Sequence, residues 1–127
     1  MTVAEVAPVV RTLSQAMIDR YAGASGDYNP IHVDLDFARS TPMGGTIAHG
    51  MLVLAFLSEM MTAAFGTSWL AGGALDVRFR LPARPDDTIT ARARAADSSE
   101  AGRLRYAVEC VNQAGEVLIS GTAEVTP

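Results

Sequence analysis

Between Thr46 and Phe65 the sequence is apolar on nearly every face that a helix would present: Ile47, Met51, Leu52, Val53, Leu54, Phe56, Leu57, Met60, Met61 and Phe65. A surface helix keeps a polar face, so one that is hydrophobic all round must be wrapped by the rest of the chain. His49, Gly50, Ser58, Glu59 and Thr62 interrupt it too often for a bilayer span. The second half of the chain supplies the wrapper. Leu75 to Leu81 alternates apolar and polar residues, the period of a half-buried strand. Thr88 to Ala95, Leu104 to Val111 and Val117 to Val125 are further strand-like runs, divided by Pro85-Asp86-Asp87, Ser98 to Gly102 and Asn112 to Gly115. Ahead of the long helix, Val9 to Leu13 reads as a short strand and Ser14 as an N-cap. Gln15 to Ala24 then carries Met17, Ile18 and Tyr21 at helical spacing, and Asp34 to Ser40 reads as a short helix. The expectation is an α+β fold: one long buried central helix inside a curved antiparallel sheet of about five strands. With 127 residues, 49% of them hydrophobic, the chain suits a single domain over 1–127.

Composition removes several function classes. A net charge of -4 and a pI of about 5.0 give no electrostatic attraction to nucleic acid or an anionic membrane. All ten basic residues are arginines, which excludes a lysine Schiff base and a lysine-dependent phosphate loop. His32 and His49 are the only histidines and Cys110 is the only thiol, so neither a disulfide within the chain nor a structural zinc site is expected. No metal and no cofactor is called for. Met1 to Val10 lacks the charged start and long apolar stretch of a secretory leader, and with one cysteine the expected location is the cytoplasm.

The chemistry is concentrated in Ser25-Gly26-Asp27-Tyr28-Asn29-Pro30-Ile31-His32. Asp27 and His32 lie five residues apart in a turn that proline stiffens, so a carboxylate and an imidazole can meet on one water. Asn29 is placed to bond the backbone and fix the turn. Taken from Tyr21 to His32, with Ala38 following, the segment resembles the hydratase motif of the MaoC-like dehydratase and (R)-specific enoyl-CoA hydratase family. Ile47-Ala48-His49-Gly50-Met51-Leu52 is similar to that family's start of the central helix, and the resemblance continues through the strands. Ala24 departs from it, where a larger aliphatic residue or glycine is expected.

The resemblance implies a hot-dog fold, a homodimer or dimer of dimers, and addition or removal of water at an acyl thioester of coenzyme A or an acyl carrier protein. It makes Asp27 and His32 the catalytic pair, leaving open which performs each proton transfer. It implies a trans-2-enoyl substrate and an (R)-3-hydroxyacyl product, and one water held on one face implies syn addition. The expected substrate-binding set is Asn29, Gly50 and Ser58. Gly50 would offer a backbone N–H to the thioester oxygen near the start of a buried helix, and Ser58 aligns with a serine that lines the pocket in some bacterial (R)-hydratases. His49 reads as structural, bonded to nearby backbone. Arg78 and Arg80 share one strand face and read as solvated, and Cys110 reads as a packing residue. Two rival activities share the fold: a thioesterase and a subunit of a heteromeric dehydratase. A thioesterase usually places its carboxylate on the central helix, where Glu59 is the only acid and lies toward the wrong end. A non-catalytic subunit typically lacks the aspartate and histidine that this chain has.

Overall fold

The computed structural model describes residues 4–98 and 100–127. Strand β1 (Val9–Thr12) leads into helix α1 (Gln15–Ser25), two short helices α2 (Pro30–Val33) and α3 (Leu35–Arg39), and the long helix α4 (Gly50–Phe65). A short helix α5 (Thr67–Gly72) follows, then β2 (Ala74–Phe79), β3 (Thr88–Ala96), β4 (Leu104–Val111) and β5 (Val117–Val125). The five strands form one antiparallel sheet in the order β1-β3-β4-β5-β2. Its inner face is set by the strand period: Ile89 and Ala91 on β3, Tyr106, Val108 and Cys110 on β4, and Ile119, Ala123 and Val125 on β5 are all buried. Against them α4 packs Leu52, Val53, Phe56, Leu57, Met60 and Met61. This is the expected sheet around a central helix.

Three local expectations are corrected. The long helix begins at Gly50, not Thr46, because the main chain before it is bonded elsewhere. Ile47 N–H donates to Ile31 O (3.1 Å) and Ala48 N–H to Ala83 O (2.8 Å). The helix is also buried on one side only: Met51 is 56% exposed, and Leu54 and Ser58 on the same stripe are half-buried. Finally, β2 stops at Phe79. Arg80 and Leu81 N–H both turn to Leu118 O (2.8 and 3.3 Å), so the alternation through Leu81 fails and Arg80 parts from Arg78. Helix α5 had no signal in the sequence; Gly66, at φ 56°, turns the chain into it.

β5 approaches β2 very closely at Gly121. A Cβ there would stand 2.0 Å from Asp76 O and 2.7 Å from Val77 Cα. Only glycine lets the strands pair at that distance.

Candidate active site

α1 ends where Gly26 adopts a left-handed conformation (φ 76°), and the chain then turns through Asp27. Each polar side chain in this turn bonds the main chain a few atoms on. Asp27 Oδ1 accepts from Asn29 N–H (3.2 Å), and Asn29 Oδ1 accepts from Ile31 N–H (3.1 Å), capping α2 with Pro30 in its first turn. Asn29 therefore acts on the backbone, as the sequence suggested, and its carbonyl oxygen is committed to that bond. The one-turn helix it caps presents His32.

The ring of His32 is fixed by a contact that no local rule gives. His32 Nδ1 lies 2.8 Å from Ile47 O. A carbonyl only accepts, so Nδ1 carries the proton and Nε2 of the neutral ring is bare. That nitrogen faces Asp27 Oδ2 at 3.8 Å, with the His32 side chain 12% exposed and that of Asp27 52%. The separation is too long for a direct hydrogen bond. One oxygen about 2.8 Å from each atom fits between them. The pair thus joins a bare imidazole nitrogen to a partly wet carboxylate.

The His32 carbonyl is held as well. Gln15 Nε2 donates to it (2.8 Å) and to Asp19 Oδ1 (2.9 Å), while Gln15 Oε1 accepts from the hydroxyl of buried Thr46 (2.7 Å). Neither Gln15 nor Thr46 was legible as part of the site, because each acts through a partner distant in the chain. His49 caps α4 and donates from Nε2 to Asp27 O (2.9 Å); the bond is to backbone, but 22 residues away and not to the nearby main chain expected of it. Its ring stacks on His32 (centroids 3.9 Å apart, planes 26°) and tilts against Tyr21 (4.9 Å, 58°).

His32 and Gly50 line one cavity of about 280 Å³, walled chiefly by Ile47, Val53, Phe79 and Ile119. Gly50 is the first residue of α4, and its N–H has no acceptor among the described residues. A Cβ at Gly50 would meet Phe79 Cε1 at 2.9 Å, so the glycine also makes room for that ring. Arg80 lines the same cavity, its Nε donating to Ser120 Oγ (2.6 Å). Asp27, Asn29 and Ser58 do not line it; Asp27 stands behind His32, 3.8 Å from its Nε2. Ser58 Oγ instead accepts from Trp69 Nε1 (3.0 Å), joining α4 to α5. Cys110 is fully buried, and burial, aided by Glu109, pushes its thiol up to about 12.

Asp27, His32 and His49 each bring one ligand-type atom within 4.8 Å of the others. Zinc needs its donors to converge at about 2.1 Å. Here the two rings lie nearly parallel, and one nitrogen of each already meets a carbonyl. The arrangement suits a shared water better than a cation.

Residues 4–116 match the family model described as "MaoC like domain". The (R)-specific enoyl-CoA hydratase of Rhodospirillum rubrum is 36% identical over 124 residues, covering 94% of this chain and 83% of that protein. The 3-hydroxybutyryl-CoA dehydratase of Methylorubrum extorquens is 32% identical over 120 residues, or 91% of this chain and 73% of that protein. Among solved structures, the unliganded R-hydratase PhaJ1 from Pseudomonas aeruginosa superposes with a TM-score of 0.85 at 27% identity, over 99% of this chain and 81% of that one.

Proposed function

The chain belongs to the MaoC-like domain family, and from that premise we propose that it hydrates trans-2-enoyl-CoA to (R)-3-hydroxyacyl-CoA, or runs the reverse dehydration. The observation that carries the reading is the bare Nε2 of His32, 3.8 Å from Asp27 Oδ2, on a residue that lines one cavity together with Gly50. A water between the two groups loses a proton to His32 Nε2 as its oxygen attacks the β-carbon. Asp27 stabilises the imidazolium that forms, and the proton is returned to the α-carbon from the same side. The Gly50 N–H, at the positive end of α4, meets the thioester oxygen as charge develops there. Asn29 serves by holding the turn. For Ser58, the bond from Trp69 supports a packing role rather than contact with the acyl group.

The relatives' names speak of coenzyme A thioesters; a carrier-protein thioester presents the same reacting atoms. Thioester hydrolysis is disfavoured because Glu59, the one acid of α4, is engaged by Arg11. The chain works as a single domain, and a second copy covers what one copy leaves open. The stripe of α4 around Met51, the exposed rings and side chains of Phe79 and Leu81 at the cavity, and the free edge of β2 all support a two-fold dimer. No helix among the described residues is long and apolar enough to cross a membrane. The single, unpaired Cys110 supports a reducing compartment, the cytoplasm.

Crotonyl-CoA in deuterated water tests the chemistry. The enoyl absorbance band disappears, the alcohol is (R), and deuterium lies syn to the new hydroxyl. Release of free thiol, or an (S) alcohol, overturns the assignment.

A further inference from the structure

We propose that His49 is a positioning residue for the reaction, setting Asp27 and His32 in register with Gly50. The inference rests on the hydration reading above. His49 occupies the cap of α4, where short oxygen-bearing side chains usually bond back to the helix. It makes no such bond; its Nε2 reaches to the Asp27 carbonyl, 22 residues earlier. The ring is 3% exposed and lies flat on the ring of His32. Its Nδ1 is buried and has no partner among the described residues.

That orphaned nitrogen separates positioning from packing. A phenyl ring would occupy the same space and stack on His32 without burying an unpaired polar atom, which costs stability. What the imidazole adds is one bond, and that bond goes to Asp27. Two residues before His49, Ile47 O holds His32 Nδ1. One residue after it comes Gly50. Segment 47–50 thus fixes the base, the main chain of Asp27 and the oxyanion donor from within four residues. Freed from His49, Asp27 shifts relative to His32, and a misplacement near 1 Å costs about a hundredfold in rate.

The test uses full-length His49→Phe, which keeps the stack and loses the bond, and His49→Gln, whose amide keeps a donor within reach. His49→Phe is expected to lower kcat at least about tenfold, with KM changed less than about threefold, and His49→Gln to recover most of the loss. In an Asp27→Asn background, His49→Phe should cost less than about twofold more, since the group it positions is already disabled. Losses that multiply in the double variant, or that fall on KM alone, overturn the proposal. If His49→Phe does not fold, His49→Asn replaces it, its amide too short to reach and its expected loss the same. Nitrogen-15 spectra of the imidazoles give a readout independent of activity: His49 protonated at Nε2 and bare at Nδ1. The opposite tautomer overturns the positioning role even in an active enzyme. A wild-type protein inert on every enoyl-CoA, yet showing this tautomer, overturns the hydration reading instead.

Discussion

Asp27→Asn removes a charge and one hydrogen-bond acceptor for the shared water while sparing the turn. An asparagine oxygen still accepts the Asn29 N–H that Asp27 Oδ1 now holds at 3.2 Å, and the Asp27 carbonyl that binds His49 is untouched. The carboxylate stands 3.8 Å from His32 Nε2. At that distance it stabilises an imidazolium by about 4 kcal/mol at an effective dielectric of 20 and by about 1 kcal/mol in bulk water. The Asp27 side chain is half exposed, which places the effect between the limits, about 2–3 kcal/mol. That alone is a loss of roughly 30- to 150-fold. The substitution also removes one of the two acceptors that hold the reacting water, and misplacing a reactant by about 1 Å costs about a hundredfold, so kcat on crotonyl-CoA should fall at least about a hundredfold. Thermal unfolding should move little, because a polar swap at an exposed site changes stability by no more than about 0.5 kcal/mol. The assay is decay of the enoyl absorbance beside a melting curve on the same sample. A rate near that of the wild type refutes the role of Asp27 in the chemistry. A collapse of the melting temperature shows that the charge holds the loop, and the rate loss then says nothing about proton transfer.

Three further outcomes follow from the same geometry. Gly121→Ala drives a Cβ into the β2 backbone at 2.0 Å from Asp76 O, and should cost about 3 kcal/mol, or about 10 °C in melting temperature; Gly72→Ala, with nothing within 4 Å, is the neutral control. Cys110 should resist thiol reagents at pH 8 until the protein is unfolded. Its thiol ionises at about 12 in the fold against an ordinary 9.0, so stability is full below pH 9 and declines toward 12, and Cys110→Ala removes that part of the decline. Sedimentation at micromolar concentration should give twice the chain mass; a monomer alone counts against the covered α4 stripe.

The architecture was legible because its signals are local. Alternation located β3, β4 and β5 to within a residue, and Ser14 marked the start of α1 through its bond to Met17 N–H. Errors arose where tertiary contacts override local pattern. Thr46 to His49 looks helical because its apolar residues continue the helix's composition, yet Ile31 and Ala83 capture its backbone first. Arg80 continues the alternation of β2, yet two successive N–H groups share Leu118 O there and shift the register. The wrapped helix was over-read for a different reason. Apolarity reports that a surface will be covered, and it carries no information about whether the cover is the same chain or another.

The site divides along the same line. Asp27, Asn29 and His32 were legible as a motif because each acts within five residues of the others, through turns that short polar side chains build. Gly50 was legible as a backbone donor near the first turn of the helix, although the helix itself was expected to begin at Thr46 and begins at Gly50. The features that decide the chemistry were not. The tautomer of His32 depends on Ile47 O, 15 residues away; the carbonyl of His32 is held by Gln15, 17 residues back; and Asp27 is tethered by His49, 22 residues on. Gln15 reads as nothing more than the first residue of a helix, and Ser58 matched a pocket serine until Trp69, on a helix with no signal of its own, took its hydroxyl. The motif therefore names the candidate groups and leaves Asp27 Oδ2 free through its own Asn29 N–H, while the nitrogen of His32 that is left bare is fixed by a main-chain carbonyl outside the motif. In this protein two of those contacts, from Ile47 O and His49 Nε2, fall within residues 47–50 beside Gly50, so that short segment shares with the turn bearing Asp27 and His32 the geometry of the candidate site.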